Sequence, residues 1–111
     1  MKLKNEDMQF YINAYANVAQ ETRSNIDILV LYKIRKNFQR IEDALKPYVE
    51  MVSEIISQNN GDRNVKRSNE DINKLGEQEV EVDIETISIS EFGNLKTSPA
   101  FVNSIFFMLE D

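Results

Sequence analysis

The chain has 111 residues, 41% hydrophobic and 29% charged, with a formal net charge of -6 and neither histidine nor cysteine. That size suits a single domain over residues 1–111, and the acidic balance argues against a protein that coats DNA or RNA, although one small phosphorylated ligand held by a local basic cluster stays compatible with it. Without imidazole or thiol, catalysis would fall to carboxylates, Lys, Tyr or Ser, and no arrangement of them stands out, so the expectation is a non-enzymatic protein with no cofactor and no metal.

The segment Met1–Asp7 has no apolar stretch of the kind a signal peptide needs. The longest strictly apolar run, Ile28 to Tyr32, is five residues, far short of a membrane span. A cytoplasmic location is expected, with no membrane partner. A first helix is predicted from Asn5 to Ala19, with Met8, Tyr11, Ile12, Tyr15, Val18 and Ala19 on one face. Asn5 would cap it, and Glu6 and Asp7 suit its positive end. Gln20 to Arg23 reads as a connection.

A long helix is predicted from Ser24 to Gln58, opened by Ser24 with Asp27 three residues on. Leu31, Ile34, Phe38, Ile41, Leu45, Tyr48, Val52 and Ile55 are spaced 3, 4, 3, 4, 3, 4, 3 along it, which gathers them into one seam. Ile28, Leu29 and Val30 make its first turn apolar nearly all round, so that end is expected to be buried. Pro47 should kink or break the helix near Asp43–Leu45, and the uninterrupted heptad phase favours a kink. Such a helix is roughly 50 Å long at 1.5 Å per residue, whereas a compact chain of this length is about 35 Å across. It must therefore bend, project, or pack against another copy, and a homo-oligomer, a dimer at least, is expected.

Gln58 to Arg67 reads as a polar loop. Ser68 with Asp71, then Ile72, Leu75 and Gly76, predicts a short capped helix ended by glycine. Val80, Val82 and Ile84 alternate with Glu79, Glu81, Asp83 and Glu85, a strand with three branched residues inward and four carboxylates outward. Inward parity changes at Ile87 and Ile89, so a bulge or tight turn is expected at Glu85–Thr86. The pairing partner is Ile87–Ser90 folded back, the segment around Met1–Leu3, or another copy. A last helix is predicted from Ser98 as N-cap and Pro99 as first helical residue through Leu109, apolar on more than one face. The fold class is thus α-dominated α+β.

The residues Tyr32-Lys33-Ile34, Asn37, Ile41-Glu42 and Leu45-Lys46, then Val80-Glu81-Val82-Asp83-Ile84, Ile87 and Ser90, then Ser98-Pro99-Ala100 and Met108-Leu109-Glu110 follow in that order. The pattern resembles a family of short uncharacterised proteins encoded by phages and prophages of Gram-positive bacteria, with Gln58–Arg67 as its variable part. The resemblance implies a small accessory phage product and carries no functional residue across. Such products often act by binding, as inhibitors of host defence enzymes or as oligomeric sponges that trap nucleotide immune signals.

Lys33, Lys36 and Arg40 recur at i, i+3 and i+7, with Arg35 alongside. Lys points and Arg forks suit phosphate, and Tyr32 or Phe38 would offer a ring for base stacking. The plainer reading is a solvated flank pairing with Glu42 or Glu50. The carboxylate stripe suits a wet sheet face that deters edge pairing better than a cation site, and it offers a surface to the basic helix of a neighbouring subunit. Phe101, Phe106 and Phe107 read as core, subunit packing or a partner-binding knob. Arg63, Lys66 and Arg67 would close over an anion, and the amides of Asn94–Thr97 would present a helix N-terminus to a phosphate. The leading expectation is a nucleotide-sequestering anti-defence protein using Tyr32, Lys33, Arg35, Lys36 and Arg40 between subunits. Its interface would be the heptad seam with Phe101 and Phe106. The alternative is a protein–protein inhibitor of a host defence protein or a phage assembly factor, presenting the acidic stripe or the apolar tail.

Overall fold

The computed structural model describes residues 1–18, 26–59, 69–92 and 99–110. The expectations at 19–24, 60–68 (Arg63, Lys66 and Arg67 included) and 94–98 lie outside these residues. The order is β1 (Lys2–Lys4), α1 (Asn5–Val18), α2 (Ile28–Gln58), α3 (Glu70–Glu77), β2 (Glu79–Glu81), β3 (Ile87–Ser88), a 3-10 turn (Ile89–Phe92), α4 (Pro99–Ile105), a second 3-10 turn (Phe106–Met108) and β4 (Leu109–Glu110). Helix dominates, and the strands are short, as the α-dominated α+β reading requires.

β1 settles which of the three partners the acidic strand takes. It pairs antiparallel with β2, placing Lys2 opposite Glu81, Leu3 opposite Val80 and Lys4 opposite Glu79. Two of the four stripe carboxylates therefore face lysines across the ladder, a favourable cross-strand arrangement. Leu3 turns inward and is buried. The main chain enters α1 directly from β1, so Asn5 does not act as the expected cap. Its N–H donates to the Gln78 carbonyl at 3.1 Å and its side-chain amide to the Leu75 carbonyl at 2.8 Å. Asn5 is a clamp between α1 and the end of α3.

α2 opens at Ile28 and not at Ser24, because the Asp27 carboxylate accepts the Leu29 N–H at 3.1 Å and serves as N-cap. The helix runs through Pro47 without a break to Gln58. The side chains flanking the proline explain its tolerance: Leu45, Tyr48 and Val52 are all buried, and their packing offsets the missing amide bond. α3 is capped by Asn69, whose side-chain oxygen accepts the Ile72 N–H at 3.1 Å. Gly76 does not end it. It lies inside the last turn, buried, where an added Cβ would stand 3.3 Å from Glu6 Oε2 and 3.7 Å from the Tyr48 hydroxyl oxygen. Glycine is there for close helix approach.

The heptad seam is spent within the chain. Leu31, Ile34, Phe38, Ile41, Leu45, Tyr48 and Val52 are buried, Ile55 packs partly buried against them, and Phe101 is fully enclosed. Their cover comes from α1, α3 and the C-terminal segment. Tyr15 stacks on Phe38 at 4.2 Å, Tyr11 stacks on Phe107 at 4.1 Å, and Phe107 meets Phe38 edge-on at 6.1 Å. The expectation that these residues form a subunit interface is corrected accordingly, since buried side chains are already partnered. Phe106 alone of that set stays open, 67% exposed. The length of α2 is accommodated in the same way. The molecule measures 49 × 25 × 18 Å, so the remaining chain is laid out along α2, which spans the long axis without projecting from a globule.

The C-terminal helix is shorter than expected. It stops at Ile105, passes through the 3-10 turn and ends in β4, which pairs parallel with β3 (Ile87 with Leu109, Ser88 with Glu110). Ile87 is buried as predicted, but Ile89 enters the other 3-10 turn and is 52% exposed. Residues 82–86 form no ladder, so the parity change falls on irregular chain and not on a bulge.

Candidate functional site

The irregular segment Val82–Thr86 lies against the N-terminal half of α2, and a buried polar residue fixes it there. Asn37 is fully enclosed within the seam. Its side-chain carbonyl accepts the Glu85 N–H at 2.9 Å, and its amide donates to the Glu85 carbonyl at 2.8 Å, with Met108 Sδ at 3.3 Å from the same nitrogen. One side chain thus supplies both backbone bonds that a neighbouring strand would have supplied, which keeps buried peptide groups satisfied. Sequence reasoning missed this role. The available signal was an amide three residues after Ile34 and four before Ile41, on the apolar side of the helix.

That anchoring brings the carboxylates of the segment onto the cations of α2. Lys36 Nζ lies 3.0 Å from Glu85 Oε2. Arg40 Nη1 donates to the Asp83 carbonyl at 2.8 Å and lies 3.6 Å from the Asp83 carboxylate. The hydrogen bond from Lys36 holds the Glu85 carboxyl below its ordinary value, and the charges of Lys36, Arg40 and Lys33 pull in the same direction against partial desolvation. Lys36 also stands over the Tyr32 ring, 5.0 Å from its centroid, within cation–π range. Lys33, Lys36, Arg40 and Tyr32 share one side of α2, and Lys36 and Arg40 pair with Glu85 and Asp83 where Glu42 or Glu50 was expected. The stripe meets a basic helix of its own chain.

Arg35 is not part of this group. It faces α1, lining with Ile12, Tyr15, Ala16, Phe38, Gln39 and Glu42 a groove of about 290 Å³. Phe38 is buried and stacked on Tyr15, so of the two predicted stacking rings only Tyr32, 60% exposed, is open.

A second feature adjoins the basic face. Ile28 and Leu29, expected to be buried, are 73% and 70% exposed. With Tyr32 they form an apolar ridge over the first turns of α2, and a hollow of about 260 Å³ lies beside it between Asp27, Leu29, Val30 and Lys33. From Ile28 to Arg40 the sequence holds four cations and no acid. The result is a partly apolar surface rimmed by cations of α2, of which Lys36 and Arg40 are paired with Glu85 and Asp83. Among the described residues no three His, Cys, Asp or Glu are grouped to hold a metal ion, and no helix is long and apolar enough to cross a membrane.

No family model, no curated protein and no solved structure matches the chain.

Proposed function

We propose that the chain is a non-enzymatic binding protein, an accessory phage product in the setting its resemblance implies. It docks by the first turns of α2 onto a partner protein whose surface is acidic and partly apolar. The observation that carries this reading is the exposure of Ile28, Leu29 and Tyr32 on adjoining turns beside Lys33 and Lys36. Single exposed apolar residues are ordinary, but a cluster with a tyrosine at its centre and a basic rim has the make-up of an interface core. The acidic stripe suits this role less well, because Glu79 and Glu81 face Lys4 and Lys2, and Asp83 and Glu85 face Arg40 and Lys36. The test is affinity capture from infected-cell lysate with the parent, Ile28→Glu and Tyr32→Ala. One protein held by the parent, lost by both variants and retained by Glu50→Gln supports the ridge. A partner set identical for parent and variants overturns it.

A second reading keeps the nucleotide. Lys36 pairs with Glu85 and stands over the open Tyr32 ring, with Lys33 and Arg40 on the same side of α2, the groups that phosphate and base would require. The adjoining hollow, between Asp27, Leu29, Val30 and Lys33, falls below the usual ligand range of about 300–1,000 Å³, so this reading needs a wall from a second copy, a homo-oligomer with pockets between subunits. Native mass spectrometry decides it. An oligomer carrying a few hundred daltons per site by the scale of a nucleotide, lost in Lys36→Glu, supports sequestration. A parent and a Lys36→Glu variant of the same bare mass remove it.

A further inference from the structure

We infer that Lys33, Lys36 and Arg40 form an anion site that the chain occupies with its own Glu85 carboxylate, and that a small phosphate-bearing molecule competes with Glu85 for it. The inference rests on the second reading above and is independent of the first.

Three observations carry it. The first is the charge balance at the site. Lys36 meets Glu85 at 3.0 Å, and Arg40 and Lys33, on the same side of α2, act on it through charge alone, whereas the Asp83 carboxylate is 90% exposed and 3.6 Å from Arg40. Arg40 is held instead by the Asp83 carbonyl, at 2.8 Å. A phosphate offers more charge and more acceptor oxygens to these donors than one carboxylate does.

The second observation is that the backbone and the side chain of Glu85 are held separately. Asn37 bonds the Glu85 N–H and carbonyl from inside the core, so the fold of the segment does not depend on the carboxylate's ion pair. The side chain is 40% exposed and its partner Lys36 is 32% exposed. The Oε2 that meets Lys36 is enclosed, but an ion pair between two partly exposed side chains contributes little, and a stronger anion displaces it without unfolding anything. The third observation is Tyr32, 60% exposed with Lys36 above its ring. It leaves an aromatic face next to the phosphate position, where a base would stack.

Pyrophosphate is the probe, titrated calorimetrically at low salt into the full chain and into Glu85→Gln, Glu50→Gln and Lys36→Glu. Removing the resident carboxylate should tighten pyrophosphate binding by roughly fivefold or more, given what exposed pairs contribute. Glu50→Gln, which makes the same charge change elsewhere on α2, should bind as the parent does, and Lys36→Glu should not bind. Binding by Glu85→Gln alone would also support an occupied site. Equal affinity of the parent and Glu85→Gln, still abolished by Lys36→Glu, overturns the competition while leaving the anion site in place. Equal tightening by Glu50→Gln shows a general charge effect and overturns it too. No binding by either the parent or Glu85→Gln removes both the inference and the nucleotide reading. Hydrogen exchange gives an independent check. The Glu85 amide should stay protected at saturating pyrophosphate, and accelerated exchange would mean that the segment, and not its side chain, leaves the site.

Discussion

Asn37 shows how much one side chain decides here. It stands in the seam of α2 where the heptad neighbours are apolar, and burying an amide is tolerable only if its groups are bonded. Those bonds define the path of residues 82–86. Asn37→Ala should lower unfolding free energy by about 2–4 kcal/mol, since it leaves a cavity and strips both partners from the Glu85 peptide groups. Urea denaturation checks this, and a loss within 0.5 kcal/mol on that same scale would show the segment to be held otherwise. The ion pairs nearby predict the acid response. Lys36 lowers the Glu85 carboxyl through a hydrogen bond, and the terminal ammonium does the same for Glu81. A carboxyl with a lowered folded value stabilises the fold above its unfolded value, ordinarily 4.5, and that contribution disappears as pH falls through the lowered value. Melting temperature should therefore fall below pH 4.5, and Glu85→Gln should fall less steeply than the parent. Identical acid limbs would remove Glu85 from this account. Tyr48 shifts in the opposite direction, raised first by burial and then by the charge of Glu6.

At the scale of elements, α2 is held by tertiary packing more than by its own propensities. Pro47 lies eleven residues before its last residue, Gln58, with a cost of about 3 kcal/mol expected for a helix interior. The heptad phase already indicated continuity, because a broken helix would not carry the spacing across the proline. Pro47→Ala should therefore raise the melting temperature, corresponding to about 1–3 kcal/mol once the restored N–H finds its acceptor. A fall would show that α2 needs the proline's geometry. In α3 the glycine was legible as a special residue, but its reason was not. Gly76 sits 3.3 Å from a flexible carboxylate oxygen once a Cβ is added, so Gly76→Ala should stay within about 1 kcal/mol of the parent as propensity offsets crowding. Gly76→Leu should lose about 1–3 kcal/mol by overpacking. Equal stability of the two variants, measured by thermal melts, would refute the close approach.

For the whole molecule, the radius of gyration of 15.9 Å exceeds the roughly 13 Å of a compact chain of this length. The excess follows from α2, about 47 Å long by its helical rise. The other elements spread along it and fill its seam. That arrangement separates the stability of the fold from association. Ile41 is fully buried, so Ile41→Ala should cost about 2–5 kcal/mol by the transfer and cavity terms, at every protein concentration. A loss that shrinks as concentration rises would instead place Ile41 between subunits. Any contact between copies would fall on surfaces that the fold leaves open, such as the α2 ridge and Phe106.

Periodicity determined what local physics governs. The positions of α1 and α2, the acidic alternation at Glu79–Asp83, the buried Val82 and Ile87, and the proline start of α4 all follow from spacing and capping chemistry. The cluster of Lys33, Lys36, Arg40 and Tyr32 follows as well, because helical geometry alone puts those residues on one side. Long-range partnership was decided only in three dimensions. A seam in sequence says that a helix wants cover, but not whether the cover is a second copy or the chain's own aromatic segments, since both bury the same area. A stripe of carboxylates does not specify its cations either. Charge attraction has no register of its own, and it took β1 in the ladder and Asn37 under Glu85 to bring each acid to its base.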